Sequence, residues 1–183
     1  LSAVNTNDVN CDGTMTISGD GVLNAENRST DSMSRSLGGS IILNGGIVNA
    51  TGKVVAKSLE IHNDGVLNAN ASATSYDGAA VNVSGGITVD GNGSLNAVGC
   101  AIENQDIMNT AILLNGNQDS KISVTGNGSI TVPDSNGARY GICYDVDRRR
   151  INAEISGKVT AYGTMCGISG INLIMSGTGS VYA

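Results

Sequence analysis

The chain has 183 residues with no Phe or Trp, 3% aromatics, 26 Gly and one Pro, which excludes a core built on buried rings and leaves a thin aliphatic interior. Charged residues are 14% of the chain, the formal net charge is −6 and 40% of residues are apolar, so the chain reads as ordered, and the absence of a basic stripe disfavours nucleic-acid binding. No apolar run approaches the roughly 18 residues that a membrane-spanning helix needs.

In chain order, residues 1–14 do not fit the pattern that follows and are expected to lead into or cap the rest; the opening LSAVNTNDV carries no basic-then-apolar leader, as expected of a mature or trimmed segment. From Met15 the phrase MTISGDGVLNA begins, and it returns as LEIHNDGVLNA from Leu59, ITVDGNGSLNA from Ile87, ISVTGNGSITV from Ile122 and LIMSGTGSVYA from Leu173. IILNGGIVNA from Ile41 is a looser relative, VNVSGGITV from Val81 and AEISGKVTA from Ala153 are shorter versions, and AILLNGN from Ala111 reads as a degenerate copy. Each phrase alternates apolar and polar residues, breaks at glycines and alternates again, which predicts two short strands joined by a bend. The stretches on either side of the glycines are too short for a stable hairpin ladder, so the bend places them on different faces of a coil.

Between phrases a third short apolar stretch recurs: VVA at Val54, AAV at Ala79, CAI at Cys100, GIC at Gly141 and CGI at Cys166. Three strands per turn and stacked repeats predict an all-β fold, a right-handed parallel β-helix of about 7 irregular coils of roughly 20–30 residues, with residues 15–183 as one solenoid domain. The last phrase finishes on Ala183, so the expectation is a longer protein or a coil capped by another chain. In its SGG and GNGS phrasing the sequence resembles the right-handed parallel β-helix proteins of bacterial surfaces and secretions, including the pectate-lyase-like superfamily. That resemblance covers Met15 to Ala183 and implies a secreted or cell-surface location; its motifs specify a coil and no catalytic residue. The calcium-binding nonapeptide solenoid does not fit, because SLNAV follows Gly93 where that repeat needs an Asp.

Two groups of residues are candidate sites. The outward position before the terminal Ala or Val of each phrase holds Asn24, Asn49, Asn68, Asn96, Thr131, Thr160 and Tyr182. Stacked at the strand spacing of about 4.8 Å, these form one polar ladder, able to bind a polysaccharide or simply to satisfy its own members. The second group is the insertion YGICYDVDRRRIN, in which Tyr144 could stack on a sugar, Arg148, Arg149 and Arg150 could grip carboxylates of an acidic glycan, and Asp145 and Asp147 could hold an isolated calcium ion. The bland alternative for this group is solvated salt bridges within a loop.

Other chemistry is poorly supported. Cys11, Cys100, Cys143 and Cys166 have no CxxC spacing and the one histidine is His62, so no zinc site and no other metal centre or cofactor is expected; free thiols are favoured over two disulfides. Glu26, Glu60, Glu103 and Glu154 occupy no shared repeat position, Asp20, Asp64 and Asp90 fall in turn slots, and His62 reads as a surface residue. The expected function is a noncatalytic extracellular module for adhesion or carbohydrate binding, or a stalk, with a polysaccharide or another surface protein as partner. The alternative is a β-helix polysaccharide lyase or glycoside hydrolase acting on an acidic glycan; an ice-binding face ranks last because a regular TxT pattern is missing.

Overall fold

A computed structural model of the chain describes residues 2–5, 9–27, 36–71, 79–101, 109–117, 120–135, 137–144 and 149–183. Its strands follow a recurring order. After β1 (Ser2–Asn5), β2 (Val9–Ser18) and β3 (Val22–Asn27) make coil 1, β4 (Leu37–Asn44) and β5 (Ile47–Thr51) coil 2, and β6 (Val54–His62) and β7 (Val66–Asn70) coil 3. Coil 4 holds β8 (Val81–Val83), β9 (Ile87–Val89) and β10 (Ser94–Val98), and coil 5 holds β11 (Thr110–Leu114), β12 (Lys121–Val124) and β13 (Ser129–Val132). Coil 6 holds β14 (Tyr140–Tyr144), β15 (Ile151–Ile155) and β16 (Lys158–Ala161), and coil 7 holds β17 (Cys166–Ser169), β18 (Ile171–Met175) and β19 (Ser180–Tyr182).

Every strand pairing is parallel and joins a coil to the next, the arrangement of a parallel β-solenoid. One face is the sheet β1-β3-β5-β7-β10-β13-β16-β19. The other sheet folds over a corner. In coil 3 the long β6 runs through it, and in coil 4 the chain breaks there, so β8 pairs with the first half of β6 (Val54↔Val81) and β9 with the second (Leu59↔Ile87). Three faces result: the eight-stranded face, a middle face that includes β9, β12, β15 and β18, and a third face that includes β8, β11, β14 and β17.

The period of two explains what lies inside. On the eight-stranded face Leu23, Val48, Leu67, Leu95, Ile130 and Val159 stack in register, and beside them Ala25, Ala50, Ala69 and Ala97. The middle face contributes Ile41, Leu43, Leu59, Ile61, Ile87, Val89, Ile122 and Val124, all buried. Aliphatic stacks on aliphatic, so Leu, Ile and Val meet one another one rung away and fill the interior without rings. Each such side chain contributes about 1.5–3 kcal/mol on burial. The residual space among Ile122, Ile155, Ile168 and Leu173 is only about 10 Å³, so this part of the interior holds no ligand. In β18 the inward-slot residues Leu173 and Met175 are 44% and 51% exposed.

Glycine makes the bend from the middle face to the eight-stranded face. The first turn residue takes positive φ, at Gly91 (60°) and Gly126 (62°), with Asn63 (54°) in the same slot of coil 3. The last turn residue needs room instead: a Cβ on Gly128 would lie 2.6 Å from the Val89 carbonyl oxygen of the coil before.

Three expectations need correction. CAI at Cys100 is not the third strand of its coil; that strand is β11, over the AILL run read as a degenerate phrase. VNVSGGITV bends at the opposite corner, between the third and middle faces. The coil-to-coil interval ranges from 19 residues (Asn49 to Asn68) to 35 (Ser94 to Ser129), wider than the roughly 20–30 expected, because the connections into and out of the third face vary in length. Among the described residues Cys100, Cys143 and Cys166 form no disulfide. The side chain of Cys11 lies outside the described residues.

Candidate functional site

In coil 4 all three residues of β8, including outward-slot Asn82, are buried, and in coil 6 Gly141–Tyr144 of β14 is buried as well. Among the described residues, exposed side chains therefore concentrate on the other two faces and on the corner between them.

On the eight-stranded face the register aligns Asn24, Asn49, Asn68, Asn96, Thr131, Thr160 and Tyr182 at one position of successive coils. The amides are bonded in series: Asn49 Nδ2 donates to Asn24 Oδ1 (2.8 Å), Asn68 Nδ2 to Asn49 Oδ1 (2.9 Å) and Asn96 Nδ2 to Asn68 Oδ1 (2.9 Å). Each of these three donors spends one N–H on the coil before it and keeps a second for other acceptors. Beside the amides runs a second outward column, Val22, Ile47, Val66, Ser94 and Ser129, apolar in the first three coils and hydroxylic after them. Val22 and Ile47 are 42% and 38% exposed, so an apolar strip borders the amide row.

The corner next to this strip is uneven. Coil 1 turns through Gly19, Asp20 and Gly21 and coil 3 through Asn63, Asp64 and Gly65, whereas coil 2 has only Gly45 and Gly46 between the paired positions of the same two faces. The short turn recedes between its longer neighbours and leaves a cleft of about 370 Å³ lined by Gly19, Asp20, Asn44, Gly45, Gly46, Ile47, Asn63 and Asp64. In coils 3, 4 and 5 the turns have equal length and their middle side chains join: Asn92 Nδ2 donates to Asp64 Oδ1 (2.9 Å) and Asn127 Nδ2 to Asn92 Oδ1 (3.0 Å). Asn63 Nδ2 donates to Asn44 Oδ1 across the cleft floor.

On the middle face His62 is held between two carboxylates, with Nδ1 2.9 Å from Asp90 Oδ2 and Nε2 3.2 Å from Glu60 Oε2. A carboxylate oxygen accepts from a ring nitrogen that carries a proton, so the two neighbours together favour the doubly protonated ring. The Asp90 hydrogen bond chiefly raises the His62 pKa above 6.5, partial burial opposes it, and Glu60 adds to the rise. Each ring nitrogen faces its own carboxylate, and the carboxylates sit on opposite sides of the ring, so the three groups do not converge on one metal. By linkage, a histidine with a raised folded pKa contributes stability that is complete below 6.5 and is lost as pH rises through the folded value. An NMR titration of the His62 ring is expected to show a pKa above 6.5 that falls back in Asp90→Asn; an unshifted native value contradicts the pairing.

Of the predicted loop site the structure describes Tyr144, Arg149 and Arg150. Tyr144 is 4% exposed and its hydroxyl donates to the Gly116 carbonyl (3.1 Å), so its ring packs in the interior and is closed to a sugar. Arg149 and Arg150 are exposed, and Asp145, Asp147 and Arg148 lie outside the described residues. Glu60 and Glu154 do share a repeat position, contrary to the sequence reading, through the register Glu60↔Thr88↔Ser123↔Glu154. Three rungs at about 4.8 Å put their backbones roughly 14 Å apart, beyond the spacing of a glycosidase pair. Sequence reasoning missed the Asp90–His62 pair and the cleft; the signal for the cleft was the single residue by which IILNGGIVNA falls short of its neighbours. A scan of protein-family models, a search of curated proteins and a search of solved structures each find no match to this chain.

Proposed function

We propose that the chain is a noncatalytic, secreted or cell-surface β-helix module of bacterial type that binds a polysaccharide along its amide-lined face. The observation that carries this reading is the bonded row Asn24–Asn49–Asn68–Asn96 beside the apolar column of exposed Val22 and Ile47 and half-buried Val66. Amides held by their neighbours are pre-organised, so they lose little side-chain entropy when they meet a ligand. Their remaining N–H groups and lone pairs suit sugar hydroxyls, the apolar column suits the C–H face of a sugar ring, and the rung spacing of about 4.8 Å repeats along one line as a linear polymer does.

A glycan array probed with the chain, with and without calcium, tests this. Retention of at least one polysaccharide is expected, and the double variant Asn49→Ala/Asn68→Ala is expected to weaken it by about 1–3 kcal/mol, roughly 5- to 150-fold. Retention of no glycan leaves a protein-contact or stalk role, and calcium-dependent retention unaffected by the double variant moves the site to the acidic and basic insertion.

A further inference from the structure

The polysaccharide reading leaves open what kind of sugar the face accepts, and the cleft at coil 2 bears on it. Its floor cannot carry a side chain. Gly45 and Gly46 have φ of 85° and 76°, and a Cβ on either would lie about 3 Å from backbone oxygens of coil 1, 3.0 Å from Gly19 for Gly45 and 2.9 Å from Gly21 for Gly46. The cleft is therefore built into the coil 2 turn rather than left by a side-chain rotamer. Its volume of about 370 Å³ falls in the range of small-ligand sites.

The walls define the chemistry. Asp20 and Asp64 stand on either side, two rungs or about 10 Å apart along the coil axis, too wide for both to ligate one cation without leaning together but suited to a ring placed between them. The bond from Asn92 fixes one oxygen of Asp64 and leaves the other to accept from a hydroxyl. Asn44 and Asn63 supply amide groups at the floor, and Ile47 offers an apolar flank that continues into the strip beside the amide row. Among the described residues no cationic side chain lines the cleft. Two carboxylates and no cation favour donors such as sugar hydroxyls or an amino group, and repel a uronate, sulfate or phosphate.

We propose that this cleft is a sugar-ring subsite of the glycan-binding face, selecting neutral or amino sugars against acidic ones. The inference rests on the reading of that face as a glycan-binding surface, and it opposes the acidic-glycan specificity expected from the arginine-rich insertion.

The test uses the full chain against soluble neutral gluco-, manno- and xylo-oligosaccharides, chitosan oligosaccharides and oligogalacturonate, with affinity read by calorimetry. Three variants separate the possibilities: an Asp inserted between Gly45 and Gly46, which gives coil 2 a turn as long as its neighbours and fills the cleft; Asp20→Asn/Asp64→Asn, which removes the charge at nearly constant shape; and Asn49→Ala/Asn68→Ala on the amide row. Wild type is expected to bind a neutral or amino oligosaccharide and not oligogalacturonate. The insertion is expected to weaken binding about tenfold or more, and the Asp-to-Asn pair to weaken it and relax the rejection of oligogalacturonate. Circular dichroism identifies an insertion variant that fails to fold, in which case the Asp-to-Asn pair decides. If wild type binds oligogalacturonate as well as neutral sugars, or if neutral binding survives the cleft variants and falls only in the amide-row variant, the subsite is overturned while the glycan-binding face stands. If wild type binds none of these probes, both readings fail together.

Discussion

Leu59→Ala is expected to destabilise the chain by about 2–5 kcal/mol. Leu59 is fully buried on the middle face, with Ile41 on the rung before it and Ile87 on the rung after it. In a globular core neighbouring side chains can shift toward a cavity, but here the flanking rungs are held at strand spacing by parallel ladders on both sides. The cavity therefore stays open, and the loss falls in the upper part of the range for truncated leucines. Thr88→Ala, one position beyond Ile87 on the next rung and facing outward, is expected to change stability by no more than about 0.5 kcal/mol. Urea unfolding followed by circular dichroism gives both values, and the contact of each coil with its neighbours alone predicts that the Leu59 variant melts from the centre of the stack. Equal effects of the two substitutions would contradict the assignment of inward and outward slots.

The second large effect separates the two glycines of the repeated phrase. Gly128→Ala is expected to cost about 1–3 kcal/mol or more, since its Cβ would meet backbone atoms of two segments, 2.6 Å from the Val89 oxygen and 2.9 Å from the Thr125 oxygen, and these oxygens accept the turn hydrogen bonds from Thr125 N and Gly128 N. Gly126→Asn is expected to cost less than about 1 kcal/mol. Gly126 has φ 62° and its nearest contact to a Cβ is 3.5 Å, and coil 3 already carries Asn63 in that slot at φ 54°. The first glycine thus answers a dihedral requirement that asparagine also meets, and the second answers a packing requirement that no other residue meets. A reversed order of the two costs, in the same unfolding assay, contradicts the register between coils.

These two roles explain why the phrase was legible. Alternation fixed which of Ile17, Leu23, Leu59 and Leu67 face inward, and the glycines marked the corner, so the seven residues from Asn24 to Tyr182 could be aligned before any coordinates. What depended on contact between coils was not legible. Cys100 and Thr110 both begin plausible apolar strands, and only pairing with Val81–Val83 selects the run starting at Thr110. Asp90 looked like a turn residue because a glycine follows it, yet the register Ile61↔Val89 sets it opposite His62. Glu60 and Glu154 share a column that no fixed period reveals, because the coils between them differ in length. The cleft is a difference between adjacent turns, so a reading that scored each phrase for similarity recorded IILNGGIVNA as an imperfect copy when its missing residue was the feature.

The partly exposed amide groups tie the fold to the proposed function, since a row that existed only to brace the sheet would keep its outward N–H groups in contact with water alone. Their side-chain NH₂ resonances report this directly by NMR. On titration with the neutral oligosaccharide that binds most tightly, the account predicts that the resonances of Asn24, Asn49, Asn68 and Asn96 shift together with those of Asn44 and Asn63 at the cleft, while Asn152 and Asn172 on the middle face stay in place. Shifts confined to the middle face or to the segment around Arg149 and Arg150, with the amide row unmoved, would contradict it.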